Sequence, residues 1–242
     1  SRSRRESGLA AAAEVAFGDV PEQAPLEENG VRFLAPVHSG QKTGWFYDHR
    51  MARARLAAWV PGKSVLDVYS YIGGWGIQAG AYGASSVCCL DSSATALEGV
   101  MVNAGLNGLS DRLSTRQGSA PETMAQMRAE GMSFDVVILD PPAFIQRRKD
   151  LKKGLAAYRR INELGLRLLK PGGLLVSASC SMHLSRADLF TAMQQGAVRA
   201  DCQLRVVEQG AQGPDHPIHP AIAETEYLKA VFARKLPQVT GF

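Results

Sequence analysis

Ser64-Val65-Leu66-Asp67-Val68-Tyr69-Ser70-Tyr71-Ile72-Gly73-Gly74-Trp75-Gly76 is the stretch whose reading decides the fold. Its first half is a short apolar run of the kind that forms a strand buried on both faces. Its second half is a glycine-rich turn, and a helix is expected from there to residue 81. A strand that passes through a glycine turn into a helix is the opening unit of an open α/β sheet. Glycines at that turn let the backbone approach a ligand closely. The spacing is not Gly-x-Gly-x-x-Gly, and Tyr69 and Tyr71 occupy space that a pyrophosphate would need. A nicotinamide dinucleotide is therefore disfavoured. S-adenosyl-L-methionine carries no phosphate and needs a wider, partly aromatic crevice, which makes it the expected cofactor.

Working outward, buried strands alternate with helices. Strands are expected at residues 86–90, 112–117, 134–139, 174–178, 204–208 and 227–234. Helices are expected at 94–107, 121–130, 150–169 and 186–200, the third stopped by Lys170-Pro171-Gly172-Gly173. Alternation of this kind predicts a doubly wound, mostly parallel sheet. Two closing strands with no clear helix between them predict an antiparallel edge strand. Upstream, Asn29-Gly30 after a polar run predicts a hairpin turn, with a strand over 31–37.

Strand ends place the candidate chemistry. In the cofactor half, Asp67, Tyr69, Ser70 and Gly73 belong to the first loop. Asp91 closes the second strand, beside Ser92, and a carboxylate there can accept hydrogen bonds from both ribose hydroxyls; it can equally cap the helix that follows. Ser119, after the third strand, is the candidate neighbour of the adenine amino group. In the reacting half, Asp140-Pro141-Pro142-Ala143-Phe144 ends an apolar strand. Proline there removes a donor and fixes the backbone, so carbonyls point into the pocket. Asp140 can bond a base edge, Pro142 borders the cofactor, and Phe144 can stack on a flipped base.

Cys180, flanked by Ser179 and Ser181, ends the next strand. A thiol opposite a carboxylate suits methyl transfer to a pyrimidine carbon. Thiolate addition at carbon 6 activates carbon 5, and Asp140 orients the ring by hydrogen bonding or proton donation at nitrogen 3. Immediately after Asp140-Pro141-Pro142, five cations follow: Arg147, Arg148, Lys149, Lys152 and Lys153. Isolated, such a run reads as a solvated helix face; beside an active site it reads as a phosphate-binding surface for RNA.

The 242 residues are 45% hydrophobic and 21% charged, with a net charge of +4. These totals describe an ordinary globular protein, and a cytoplasmic one is expected, because no run is long enough for a secretory signal or a membrane span. The four cysteines make no Cys-x-x-Cys pair, which argues against a zinc site or a disulfide framework. His216-Pro217-Ile218-His219 lacks a third ligand at a useful spacing, so no metal is expected.

Taken together these residues resemble the RlmI-type family of bacterial large-subunit rRNA cytosine-5 methyltransferases. The likeness runs from about residue 26 to residue 236. It is carried by the segment from Gly40-Gln41-Lys42-Thr43 through Tyr47-Asp48-His49-Arg50, by Ser70-Tyr71-Ile72-Gly73-Gly74, Asp140-Pro141-Pro142, Ser179-Cys180-Ser181, Asp215-His216-Pro217 and Tyr227-Leu228-Lys229. The resemblance implies a Rossmann-like class I methyltransferase with a mostly parallel seven-stranded sheet. It implies a methyltransferase domain over residues 41–242, and a remnant of a small α+β linking domain over 1–40. It also implies that the segment around Tyr47 and Arg50 folds over the cofactor. Members of the family usually carry an N-terminal RNA-binding PUA domain, which is not seen in this sequence. A homodimer is left open. The rivals are an rRNA guanine-N methyltransferase, which typically has Asn where Cys180 stands, a nicotinamide-dependent oxidoreductase, and a non-catalytic RNA-binding module.

Overall fold

The computed structural model describes residues 15, 17–38 and 44–237. The alanine-rich beginning of the chain and Gly40-Gln41-Lys42-Thr43 lie outside them. A hairpin comes first, β1 (Gln23–Glu28) against β2 (Val31–Pro36). Its turn residues Asn29 and Gly30 have φ of 55° and 77°, the left-handed pair that a two-residue hairpin turn needs to match strand twist. A short helix α1 (Arg50–Ala54) follows. The main unit then runs β3 (Ser64–Val68), α2 (Gly74–Ala81), β4 (Ser86–Asp91), α3 (Ala94–Leu106), β5 (Leu113–Gln117), α4 (Ala120–Ala129) and β6 (Phe134–Leu139). It continues through α5 (Leu151–Leu168), β7 (Leu169–Ser179), α6 (Arg186–Arg199), β8 (Cys202–Gly210) and β9 (Lys229–Pro237).

The seven strands lie in the order β5-β4-β3-β6-β7-β9-β8. β5 to β7 are parallel. β9 runs antiparallel to both of its neighbours, so the edge strand β8 is joined to the sheet by antiparallel pairing. The expected stop at Lys170-Pro171-Gly172-Gly173 ends α5 but also interrupts a strand. β7 pairs Leu169 with Phe134, then resumes at Leu174 opposite Val136. Proline lacks the ladder donor, and the glycines absorb the irregularity.

Alternate residues of each central strand serve different cores, which is why these strands read as continuous apolar runs. Val65, Val136 and Ile138 face Ile77, Val100 and Phe33, on the side of α2, α3 and the hairpin. Leu66, Val137 and Leu139 face Met124, Leu164 and Leu189, on the side of α4, α5 and α6. The hairpin is also stitched to α3. The buried Asn103 accepts from the Leu34 amide (2.8 Å) and donates to the Ile72 carbonyl (3.1 Å). The order of strands reverses around β3 and β6, and the carboxyl ends of β3, β4, β6 and β7 converge there. Ligands of open α/β sheets bind at that point.

Candidate active site

The loop after β3 is tied to the end of β4. The amides of Tyr69 and Ser70 both donate to the Leu90 carbonyl (2.9 and 3.1 Å), and the Tyr71 amide donates to Asp91 Oδ2 (2.9 Å). These bonds hold Tyr69 and Tyr71 at φ of 64° and 49°, a left-handed conformation that costs a non-glycine residue about 1–2 kcal/mol. Beneath the loop, fully buried Asp67 accepts from the Gly76 amide (2.8 Å), so it anchors the first turn of α2 from inside. A side chain at Gly76 would put its Cβ 2.6 Å from Cys89 Sγ and 3.0 Å from Asp67 Oδ2, so only glycine permits that approach. Burial pushes Asp67 up to about 7 against the Gly76 hydrogen bond, with Asp140 and Asp91 adding to the rise.

A cleft of about 430 Å³ opens over these strand ends. Tyr69, Ser70, Tyr71 and Gly74 line one side, with Asp91 and Ser92 beyond them. Pro141, Pro142, Ala143, Asp140 and Cys180 line the other, and Trp45, Phe46, Asp48, His49 and Arg53 cover it. Asp91 Oδ1 accepts from the Ser93 amide (2.9 Å), and each Asp91 oxygen keeps a further lone pair for a ligand. Asp140 is 19% exposed and receives His49 Nε2 (3.2 Å) on one oxygen and Trp75 Nε1 (2.9 Å) on the other. Burial alone would raise its pKa, but His49, Trp75 and Arg53 outweigh it and hold the carboxyl below its usual range. Asp140 is therefore an acceptor, suited to a base amino group rather than to proton donation.

The cover is fixed by a buried ion pair. Arg53 meets Glu28 through two bonds (2.6 and 2.9 Å), with both side chains almost wholly buried. Trp45 Nε1 and Gln78 Nε2 also donate to Glu28, each at 2.8 Å. One hairpin carboxylate thus organises the segment before α1, α1 itself and α2.

The turn after β7 presents Cys180 while hiding its neighbours. Ser179 and Ser181 are 0% and 1% exposed. Ser179 Oγ shares a hydrogen bond with Tyr158 of α5 (2.7 Å) and accepts from the Ser181 amide (3.1 Å). Ser181 Oγ donates to the Ile145 carbonyl (2.7 Å), which fastens this turn to the loop that follows Asp140.

Of the residues singled out in the sequence, the cleft brings together Tyr69, Ser70, Asp91, Ser92, Asp140, Pro142 and Cys180. Asp67 lies under it, and Gly73, at φ 88°, shapes the turn. Tyr47 is 47% exposed, and Arg50 pairs with Asp215 (3.2 Å); Phe46, Asp48 and His49 of the same segment line the cleft. Ser119 stands at the N-cap of α4 outside the lining. Phe144 does not reach the cleft as a stacking platform, because it packs edge-on against Tyr69 and Tyr158. Glu28, His49, Arg53 and Trp75 escaped the sequence reading. His49 and Trp75 sit inside quoted motifs, but nothing local distinguishes Glu28 and Arg53.

Among the described residues no cluster of His, Cys, Asp and Glu could hold a metal ion, no helix is long and apolar enough to cross a membrane, and no disulfide joins the four cysteines. Three carboxylates, Asp48, Asp91 and Asp140, line the cleft, and the Arg53 charge there is met by Glu28. Such a field repels a pyrophosphate and suits a sulfonium cation with a ribose diol, so the residues present fit S-adenosylmethionine.

The fold and this cleft define a Rossmann-like methyltransferase. The family model for S-adenosylmethionine-dependent methyltransferases matches residues 4–234. The chain is 38% identical over 235 residues to ribosomal RNA large subunit methyltransferase I of Shewanella denitrificans, covering 96% of this chain and 59% of the relative. It is 39% identical over 221 residues to a ribosomal RNA large subunit methyltransferase of Deinococcus radiodurans, covering 90% and 54%. The chain thus spans a little over half the length of these curated relatives. The structure of SMU.776 complexed with SAH superposes with a TM-score of 0.81 at 20% identity, covering 92% of this chain and 58% of that one; it shows the shared fold. The chain belongs to the S-adenosylmethionine-dependent methyltransferase family, and its cofactor is S-adenosyl-L-methionine.

Proposed function

We propose that the chain methylates carbon 5 of a cytosine in large-subunit ribosomal RNA, with Cys180 as covalent nucleophile. The observation that carries this reading is that Cys180 and the carboxylate of Asp140 line one cleft with the cofactor loop. The names of the relatives point to the RNA. Bound S-adenosylmethionine supplies an electrophilic methyl group on a sulfonium. Asp91 and Ser92 would hold the ribose, and the Tyr69–Tyr71 side of the cleft would take the rest of the cofactor. Asp140, kept ionised by His49 and Trp75, accepts from the amino group of an extruded cytosine and turns carbon 6 toward Cys180. The Cys180 thiolate forms a bond to carbon 6, and the electron pair displaced to carbon 5 takes up the methyl. Loss of the carbon-5 proton to solvent water then restores the ring as the carbon–sulfur bond breaks and the Cys180 thiolate is released.

Arg147, Arg148, Lys149, Lys152 and Lys153 are all exposed, on the segment that follows the Asp140 loop. Only Arg147 is engaged by an ion pair among the described residues, with Asp150 at 3.2 Å. They form the surface proposed for RNA phosphates. Ribosomal RNA as substrate places the reaction in the reducing cytoplasm, where a thiol persists.

The test is Cys180→Ala. Methyl transfer to an rRNA fragment is expected to be abolished while S-adenosylmethionine affinity, measured calorimetrically, stays at the wild-type value. Undiminished turnover would sink the covalent mechanism.

A further inference from the structure

The Tyr227-Leu228-Lys229 motif has no part in the mechanism above. Lys229 opens β9 in antiparallel register with Ser179, the residue before Cys180. It is 5% exposed. Its Nζ donates to the carbonyl of Ser181, the residue after Cys180 (2.9 Å), and to the carbonyl of Tyr227 (3.0 Å). A buried ammonium is costly unless its charge is answered, and Lys229 has no carboxylate within ion-pairing distance among the described residues. Among the described residues, Arg186 of α6 repels the Lys229 ammonium, Glu226 attracts it, and Cys180 is electrostatically coupled to it. Tyr158 of α5 and Tyr227 face Cys180; both phenols are pushed up by burial and stay protonated near neutral pH.

We propose that Lys229 is a positioning residue for Cys180: its ammonium pins the Ser181 carbonyl of the strand-end turn and supplies the positive charge against which the Cys180 thiol ionises. The inference rests on reading Cys180 as the nucleophile. It gives a cation that is built into the sheet the task of keeping the thiol available as thiolate.

The experiment is the pH dependence of iodoacetamide alkylation at Cys180, followed by peptide mass in the full chain. The buried Cys88, Cys89 and Cys202 serve as slow internal references. Lys229→Gln keeps donors for the carbonyls but loses the charge; Lys229→Arg keeps the charge. The Gln variant is expected to shift the labelling profile by about one pH unit upward, a roughly tenfold slower reaction near neutral pH. The Arg variant is expected to hold the wild-type profile, and cofactor affinity is expected to stay unchanged in both. Should the Gln variant fail to fold, Lys229→Met supplies a second neutral side chain for the same comparison. A neutral variant whose profile overlays the wild type overturns the proposal. Undiminished methyl transfer by Cys180→Ala, read in its own assay, overturns the covalent reading on which it rests and leaves the alkylation comparison intact.

Discussion

Asp67→Asn isolates the free energy stored by burying a carboxylate under the cofactor loop. Burial raises Asp67 from 3.8 to about 7. The folded chain therefore holds that proton more tightly than the unfolded chain does. Below about pH 4 both states are protonated and the group is neutral in its effect. As pH rises from about 4 to about 7 the unfolded state gives up the proton first, so stability falls across that window and levels off above it. A gap of about three units at 1.36 kcal/mol each amounts to about 4 kcal/mol lost at pH 8. Asparagine removes the charge and keeps an oxygen for the Gly76 amide. Its amino group replaces an oxygen that has no partner among the described residues, which takes back about 1–3 kcal/mol. The expected net gain is about 1–3 kcal/mol at pH 8, shrinking toward a loss near pH 4. Urea unfolding of both chains at several pH values measures it. A stability difference that does not vary with pH would refute the argument, because it would mean that Asp67 ionises alike in the folded and unfolded chains.

Other outcomes follow from the same geometry. Glu28→Gln leaves the Arg53 guanidinium buried without its counter-charge and is expected to cost about 3–5 kcal/mol by thermal or urea unfolding. Gly76→Ala drives a methyl into Cys89 and Asp67 and is expected to cost about 1–3 kcal/mol with loss of cofactor affinity by titration. Trp75→Phe removes a donor that keeps Asp140 ionised, so the acid limb of the methyl-transfer profile is expected to move to higher pH. Neutralising Arg147, Arg148 and Lys149 together is expected to weaken RNA binding and to lower the slope of its salt dependence by up to about three; an unchanged slope would return them to a solvated face.

The sheet was legible because both of its faces are covered: Val65-Leu66 and Val136-Val137-Ile138-Leu139 can be nothing but strands buried from two sides. The strand-end positions of Asp91, Asp140 and Cys180 were legible for the same reason, since each closes or follows such a run. The cover of the cleft was not. Tyr47 to His49 form a single turn of 3-10 helix, too short for periodicity to say which side chains face inward; the family resemblance points to Tyr47 and Arg50, while Asp48 and His49 line the cavity. Glu28 reads as one more acid before a polar turn. Its partners Trp45, Arg53 and Gln78 lie 17, 25 and 50 positions away, and no local pattern encodes a contact of that range.

The Glu28–Arg53 pair also changes where this chain can be cut. By strand count alone the seven-stranded unit begins at β3, and the hairpin before it looks dispensable. Yet a chain shortened to start after Pro36 would keep the arginine in its dry site with nothing to neutralise it, and would lose the support that Trp45 and Gln78 share. The smallest piece expected to fold and bind its cofactor therefore starts ahead of Gln23, and the hairpin is better understood as the keystone of the cleft than as a linker leading up to it.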